Sequence, residues 1–321
     1  VSTSAQNPDF KQFYFLKWMS PVISQREIEV LFAWLNQHLI EVQANPMSGI
    51  SQVGVMPVIE INLEAILLQF KMLLSPAQAE HLRESVWTEL FAQITPGEFP
   101  LAVSLQSETV SRMRKTLFVF DMDSTVINQE VIDELARTLG RYAEVAAITE
   151  KTMQGKLDFQ ASLRERCQLL KGMTTYQAAN IIPNLTVSPG GEQLFQWLRS
   201  QQIKTAIVSG GFEFVLKHFQ KQLHVDQVYA HRLVSDDDET FTGEIEAPLI
   251  DANYKKVLAA QLKTNYRASA DETVIVGDGA NDIAMMSEAG ISVSFCGKPK
   301  LAAVTNTLIF DRNLLWLKYL V

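Results

Sequence analysis

The chain has 321 residues, 47% apolar and 20% charged, with a formal net charge of −8, which leaves room for two domains but not obviously three and describes an ordinary folded soluble protein with a sizeable core. The acidic balance provides no obligatory basic face, so nucleic acid is not an expected partner. Cys167 and Cys296 stand far apart and the five histidines form no HExxH or HxH pattern, which argues against a zinc centre and for reduced thiols. No apolar run reaches the length of a membrane span and residues 1–7 lack a signal-peptide core, so a cytoplasmic protein with no membrane partner is expected.

Residues 1–110 read as a unit of their own. Ser24-Gln25-Arg26-Glu27 has the form of a capping box, and Ile28, Leu31, Leu35 and Leu39 follow at helical spacing. Residues 58–63 suggest a strand. Pro76, in the first turn after Ser75, opens a second helix that runs to about Ala92, until Pro96-Gly97 breaks the pattern. Residues 101–105 suggest a further strand, and the polar segment 106–114 reads as a linker. This mixture predicts a small α+β domain, with Trp18, Trp34 and Trp87 as packing residues rather than a ligand cage.

Leu117-Phe118-Val119-Phe120 runs straight into Asp121-Met122-Asp123-Ser124-Thr125. An apolar run ended by carboxylates reads as a strand buried on both faces, as in a parallel sheet, with its acids at the carboxyl end where such sheets place ligands. Residues 128–187 interrupt the α/β alternation with four helical patterns, at 130–139, 143–154, 159–170 and 175–182, punctuated by Gly140, Gly155 and Gly172. A helical insertion directly after such a strand reads as a cap over a site. The α/β pattern then resumes. A helix opens at Ser188-Pro189-Gly190-Gly191, and strand 205–208 ends in Ser209-Gly210-Gly211. A hairpin spans 232–246 around the solvated tip Asp236-Asp237-Asp238-Glu239. Strand 273–276 ends in Gly277-Asp278-Gly279-Ala280-Asn281-Asp282, and strands follow near 290–295 and 307–310. The expected fold is α/β, a doubly wound parallel sheet with a helical cap, preceded by the α+β domain.

In a parallel sheet with right-handed crossovers these polar strand ends meet on one edge. A carboxylate there can attack phosphorus, a hydroxyl and glycine N–H groups can hold phosphate oxygens, and Asp278 with Asp121 suits octahedral Mg²⁺. Taken singly, each residue has a plainer reading. The aspartate pair also fits a surface turn capping the next helix, Ser209 a helix cap, and Asp278 and Asp282 turn formers.

Taken in order, Asp121-Met122-Asp123-Ser124-Thr125, Ser209-Gly210-Gly211-Phe212, a lysine, and Gly277-Asp278-Gly279-Ala280-Asn281-Asp282 resemble the motifs of the haloacid dehalogenase superfamily over residues 117–312. Asn128-Gln129-Glu130, Met153 to Phe159 and Ser162 to Arg166 are similar to those of members that hydrolyse O-phospho-L-serine. The resemblance implies Asp121 as the nucleophile and Asp123 as the acid and base. It implies Mg²⁺ held by Asp121, the Asp123 carbonyl and Asp278, and phosphate held by Ser209, Gly210 and Lys255, with Lys256 as the alternative to Lys255. Asn281 and Asp282 would order the site. Glu130 would meet the substrate ammonium, Arg166 its carboxylate, and Met153 and Phe159 its backbone. Without the resemblance, these four cap residues read as a first-turn charge, a solvated arginine and ordinary helix packing. The rival expectations are a phosphatase or phosphotransferase acting on another small phosphorylated amino acid, or a serine-sensing protein built on the first domain. An added domain on a biosynthetic enzyme points to serine as an effector, and either a monomer or a homodimer fits.

Overall fold

The computed structural model describes residues 12–20, 56–61, 66–93, 102–154, 156–236 and 239–320. The expected helix at 24–39, Trp34, the Pro96-Gly97 break, Gly155 and the tip residues Asp237 and Asp238 lie outside them, as do the side chains of Trp18 and Met153. In chain order the first strands are β1 (Gln12–Ser20), β2 (Met56–Ile61), β3 (Ile66–Leu74) and β4 (Ala102–Ser107), with helix α1 (Pro76–Gln93) between the last two. After a short helix α2 (Glu108–Arg112) come β5 (Leu117–Phe120), the cap, and α7 (Gly191–Ser200). Then follow β6 (Lys204–Phe212), α8 (Glu213–Leu223), β7 (Gln227–His231) and the hairpin β8 (Leu233–Asp236) with β9 (Thr240–Ile245). Helix α9 (Ala252–Tyr266), β10 (Thr273–Gly277), β11 (Ile291–Phe295) and β12 (Thr307–Ile309) complete the sheet.

Among the described residues, one ten-stranded sheet runs in the order β2-β3-β1-β4-β12-β11-β10-β5-β6-β7. The six strands from β12 to β7 are parallel, as the alternation of strands and helices predicts, and the four from the first 110 residues are antiparallel. The sheet continues across the expected linker. Thr307, Leu308 and Ile309 of β12 pair with Ser104, Val103 and Ala102 of β4, and the Ser104 and Thr307 hydroxyls lie 2.7 Å apart. Buried Trp87 of α1 donates its indole N–H to the Thr305 carbonyl at 2.9 Å, so it packs as expected and ties α1 to the later half of the chain.

Segment 106–114 is not the polar linker its composition suggests. Strand β4 extends through Ser107, whose hydroxyl accepts from Val110 N–H at 3.3 Å and so caps α2, burying Val110. A serine followed by glutamate is an ordinary helix start, and the tertiary site for Val110 is what makes it form.

Every residue of β5 is buried, because helices cover both faces of the sheet. Phe118 and Phe120 point into the cluster that includes Leu194, Phe195 and Phe212, while Leu117 and Val119 meet Leu258, Ala259 and Leu262 of α9 on the other face. Among the described residues the cap supplies the α-helices α3 (Val131–Thr138), α4 (Tyr142–Met153), α5 (Phe159–Gln168) and α6 (Thr175–Ala179), four where four are predicted, followed by a 3-10 turn at Ile182–Asn184. Gly140 and Gly172 take the left-handed conformation after their helices, with φ of 69° and 88°. The two chains that enter and leave the cap pair with each other. Asn128 N–H donates to Thr186 O at 3.0 Å, and Ser188 N–H to Val126 O at 2.8 Å. The cap is thus carried on a short hydrogen-bonded stem rising from the aspartate loop.

Candidate active site

Strand β5 delivers Asp121. Its N–H still bonds the Val276 carbonyl of β10 at 2.8 Å, so the residue is held in the ladder while its side chain faces the sheet edge. The chain then makes a wide turn over Met122–Val126, in which Ser124 adopts φ of 56°. That left-handed geometry is uncommon for a residue with a side chain, and the Ser124 hydroxyl is fixed by a 2.8 Å hydrogen bond to Glu130. The same turn sets Asp123 against the start of α3, where it accepts from Val131 N–H at 3.3 Å.

Asp251 caps α9 by accepting from Tyr254 N–H at 2.9 Å, and the first turn of this helix carries Lys255. Lys255 is 1% exposed, and its ammonium donates to Asp121 at 2.7 Å and to Asp282 at 2.8 Å. Neighbouring Lys256 is half exposed and lies 3.9 Å from Glu288, so Lys255 is the lysine that reaches the site. Burial opposes the Lys255 charge, but Asp121 and Asp282 outweigh it and hold its pKa above the ordinary value.

Three carboxylates crowd that one ammonium. Asp121, Asp278 and Asp282 each offer an oxygen, all within 4.8 Å of one another. Asp282 has both oxygens engaged, one by Lys255 and the other by Gly279 N–H at 3.1 Å, so it orders the turn that presents Asp278. Among the described residues the Asp278 carboxylate has no hydrogen bond or ion pair. Burial raises Asp121 to about 8, Asp282 adding to it and Lys255 opposing. Burial takes Asp278 to about 7, with Asp282 and Glu130 adding. Hard oxygen donors, excess negative charge and raised pKa values together fit a divalent cation held by Asp121 and Asp278.

A carboxyl group with a raised pKa favours the folded state while protonated, and that advantage fades as pH rises towards 7 to 8, because the unfolded chain ionises near 4 without the burial cost. A bound cation removes the penalty on the ionised form. The gain in Tm from saturating divalent cation should therefore be larger at pH 8 than at pH 6. An equal gain, or a larger one at pH 6, contradicts this electrostatic account.

Asp123 is held well above the ordinary carboxyl range by burial, with the charges of Glu130 and Asp121 adding. It is therefore suited to carry a proton near neutrality. Ser209 and Gly210 come from β6, and here the structure corrects the expected strand end. The strand does not stop at Val208 but continues to Phe212, with a register shift against β7 between those two residues. Within this irregular stretch, Ser209 and Asp123 both lie close to Gly211. A Cβ placed on Gly211 would lie 2.9 Å from the Asp123 carboxylate and 3.0 Å from the Ser209 hydroxyl. Gly211→Ala should push both groups aside and lower kcat/KM by about 10²-fold, the typical cost of a misplacement near 1 Å. Steady-state kinetics showing an unchanged kcat/KM would mean the two groups need not converge.

Of the predicted cap residues, Glu130 stands at the start of α3 beside Ser124. Phe159 begins α5 and reaches the core, its ring tip 3.6 Å from a Cβ placed at Gly210. Gln160, not singled out in the sequence, joins cap to core through a 2.9 Å hydrogen bond to Asp251. Arg166 is half-buried; desolvation lowers its pKa, and the charges of Glu130, Asp133 and Asp123 oppose that. Its Nε donates to Ser162 O at 3.4 Å, the one hydrogen bond of this side chain among the described residues. Met153 ends α4. Asn281 lies in the short helix Ala280–Asp282, half-buried beside Gly279.

An acidic strand end, a bulged Ser-Gly-Gly segment, a helix-borne lysine and a second acidic loop on one edge of a parallel sheet define a phosphate-handling hydrolase of the α/β class. The sequence model of the haloacid dehalogenase-like hydrolases matches residues 118–287, over half of the chain, and the protein belongs to that family. It is 37% identical over 201 residues to the phosphoserine phosphatase of Methanocaldococcus jannaschii, a match covering 63% of this chain and 95% of that one. A solved structure described as a phospho-aspartyl intermediate analogue of phosphoserine phosphatase is 37% identical, with a TM-score of 0.60, covering 64% of this chain and 99% of that one. A family hydrolase from Salmonella enterica serovar Typhi shares the fold over 96% of this chain and 98% of its own, with a TM-score of 0.78 and 23% identity. No helix among the described residues is long and apolar enough to cross a membrane.

Proposed function

We propose that the chain hydrolyses O-phospho-L-serine to L-serine and phosphate, the last step of serine biosynthesis, through an aspartyl-phosphate on Asp121 and with Mg²⁺ as the cation. The observation that carries this reading is the position of Asp121 between Lys255 and the Asp278 carboxylate, on the edge where Ser209 and Asp123 also converge. The similarity to phosphoserine phosphatases over most of their length supports the substrate.

An Asp121 oxygen attacks phosphorus in line with the serine oxygen, which leaves as Asp123 gives it a proton. The Ser209 hydroxyl, the Gly210 backbone and the Lys255 ammonium hold the phosphoryl oxygens and take up charge as it spreads over them. Asp123, now ionised, takes a proton from the water that opens the acyl-phosphate, returning Asp121 to its carboxylate. When bound, Mg²⁺ would supply positive charge that offsets repulsion between the nucleophile and the ester. The cap excludes bulk water, Phe159 closing against Gly210. Glu130 accepts from the substrate ammonium, and the Arg166 guanidinium takes its carboxylate, a job its planar fork suits.

Phosphate release from L-phosphoserine, measured with divalent cation and with excess chelator, tests the reading. Cation-dependent turnover is expected, and absence of turnover with Mg²⁺ present contradicts it. Arg166→Ala should lower kcat/KM for phosphoserine by about 10²- to 10³-fold, the scale of losing a buried charge partner. Activity on p-nitrophenyl phosphate, which has no carboxylate to clamp, should stay within a few-fold. Equal losses on both esters would rule out the carboxylate clamp.

A further inference from the structure

His231 ends β7 at 2% exposure, and both of its ring nitrogens are engaged by backbone. Nε2 lies 2.7 Å from the Ile250 nitrogen, and Nδ1 lies 3.0 Å from the Gly210 carbonyl oxygen. A backbone N–H can only donate and a carbonyl can only accept. Nε2 must therefore be the bare nitrogen and Nδ1 must carry the proton. Burial, aided by the nearby Lys255 charge, keeps the ring below its ordinary pKa and so neutral, as this pair of bonds requires.

The two partners are not incidental. Gly210 precedes Gly211, whose N–H donates to the Ser209 hydroxyl oxygen at 2.8 Å. Fixing the Gly210 carbonyl fixes the whole Gly210–Gly211 peptide plane, because that unit is rigid. With its oxygen accepting from Gly211, the Ser209 hydroxyl is left with its proton to give away. Ile250 directly precedes Asp251, the cap of the helix that carries Lys255. One imidazole thus joins the two segments that bring Ser209 and Lys255 to the edge of the sheet.

We infer that His231 is a positioning residue for the phosphate subsite: its Nδ1–H sets the Gly210–Gly211 peptide so that Ser209 donates to phosphate, while Nε2 anchors the approach to the Lys255 helix. This deepens the phosphatase reading and rests on it, for Ser209 and Lys255 are the phosphate holders only under that reading. The ring touches neither substrate nor nucleophile, so its effect is on the strength and geometry of phosphate holding.

The experiment combines ring nitrogen NMR of the wild-type protein with calorimetric titration of inorganic phosphate, in the presence of Mg²⁺, into wild type, His231→Phe and His231→Asn. NMR should find Nδ1 protonated and Nε2 bare at neutral pH; the opposite tautomer, or an imidazolium, overturns the proposal. His231→Phe keeps the ring's bulk but neither hydrogen bond, and should weaken phosphate binding by about 10- to 10²-fold. His231→Asn places an N–H donor where Nδ1–H stands and should recover at least half of that loss on a logarithmic scale. Phosphate affinity unchanged in folded His231→Phe, or no recovery in folded His231→Asn, overturns it. If either variant does not fold, the wild-type tautomer decides. Phosphoserine turnover by the wild type, assayed alongside, separates the two claims. Turnover with phosphate affinity unaffected by His231 sinks only this inference, whereas no turnover sinks the substrate reading.

Discussion

Replacing Asp121 by asparagine is expected to lower kcat by about 10⁴-fold or more, the scale on which enzymes lose a covalent nucleophile. The amide has the size of the carboxylate and keeps contact with Lys255, so the substitution isolates the chemistry. Stability should not suffer. Asp121 is buried and pushed up to about 8 with Asp282 adding to its cost, so its ionised form is unfavourable without a cation. Removing one of three crowded carboxylates also leaves the 2.8 Å pair between Lys255 and Asp282 intact. The cation-free variant should melt at or above the wild-type Tm, while its cation-induced gain in Tm shrinks. A variant that stays within 10-fold of wild-type turnover would remove Asp121 from the role of nucleophile.

Lys255→Ala should have the opposite character, damaging both stability and activity. It leaves Asp121 and Asp282, both buried, facing each other without the ammonium that lies within 2.8 Å of each. Breaking a buried ion pair from one side typically costs about 3–5 kcal/mol. In cation-free buffer the unfolding free energy should fall by about that amount, and added Mg²⁺ should return part of it. Loss of one charge-stabilising donor should lower kcat by about 10²- to 10³-fold. Lys256→Ala is the matched control. Lys256 sits at the surface 3.9 Å from Glu288, where an ion pair contributes roughly 1 kcal/mol at most. Equal losses from the two alanine variants would contradict the assignment of Lys255 to the site.

The sequence made the site legible because each of its strands is an apolar run that ends in something polar. Leu117 to Phe120 and Thr273 to Gly277 are buried as their composition requires, and Asp121 and Asp278 follow directly at the sheet edge. The cap was legible through helical spacing and its glycines. What stayed hidden depends on contacts between distant segments. The polar segment 106–114 hid an end of β4 and a helix because Gln106 and Ser107 pair with Phe15 and Tyr14 of β1, some ninety residues away. Ser209-Gly210-Gly211 read as a strand end because glycine has low strand preference, yet pairing of Phe212 with His231 carries the strand onward. Asp282 read as a helper, and its two bonds, to Lys255 and to Gly279, give that role a structural content no spacing could have supplied. His231 gave no signal at all. A lone histidine at the end of a short strand is ordinary, and only the fold sets Gly210 and Ile250 on either side of its ring.

The most direct test is chemical trapping of the phosphorylated protein. Mixing it with phosphoserine and Mg²⁺, quenching in acid within the first turnovers and reducing with borohydride converts an acyl-phosphate on aspartate to homoserine. Peptide mass spectrometry should find homoserine at position 121 and nowhere else, and none in Asp121→Asn. A protein that turns over phosphoserine yet yields no homoserine at 121, or yields it at Asp123 or Asp278 instead, would contradict the account at its centre.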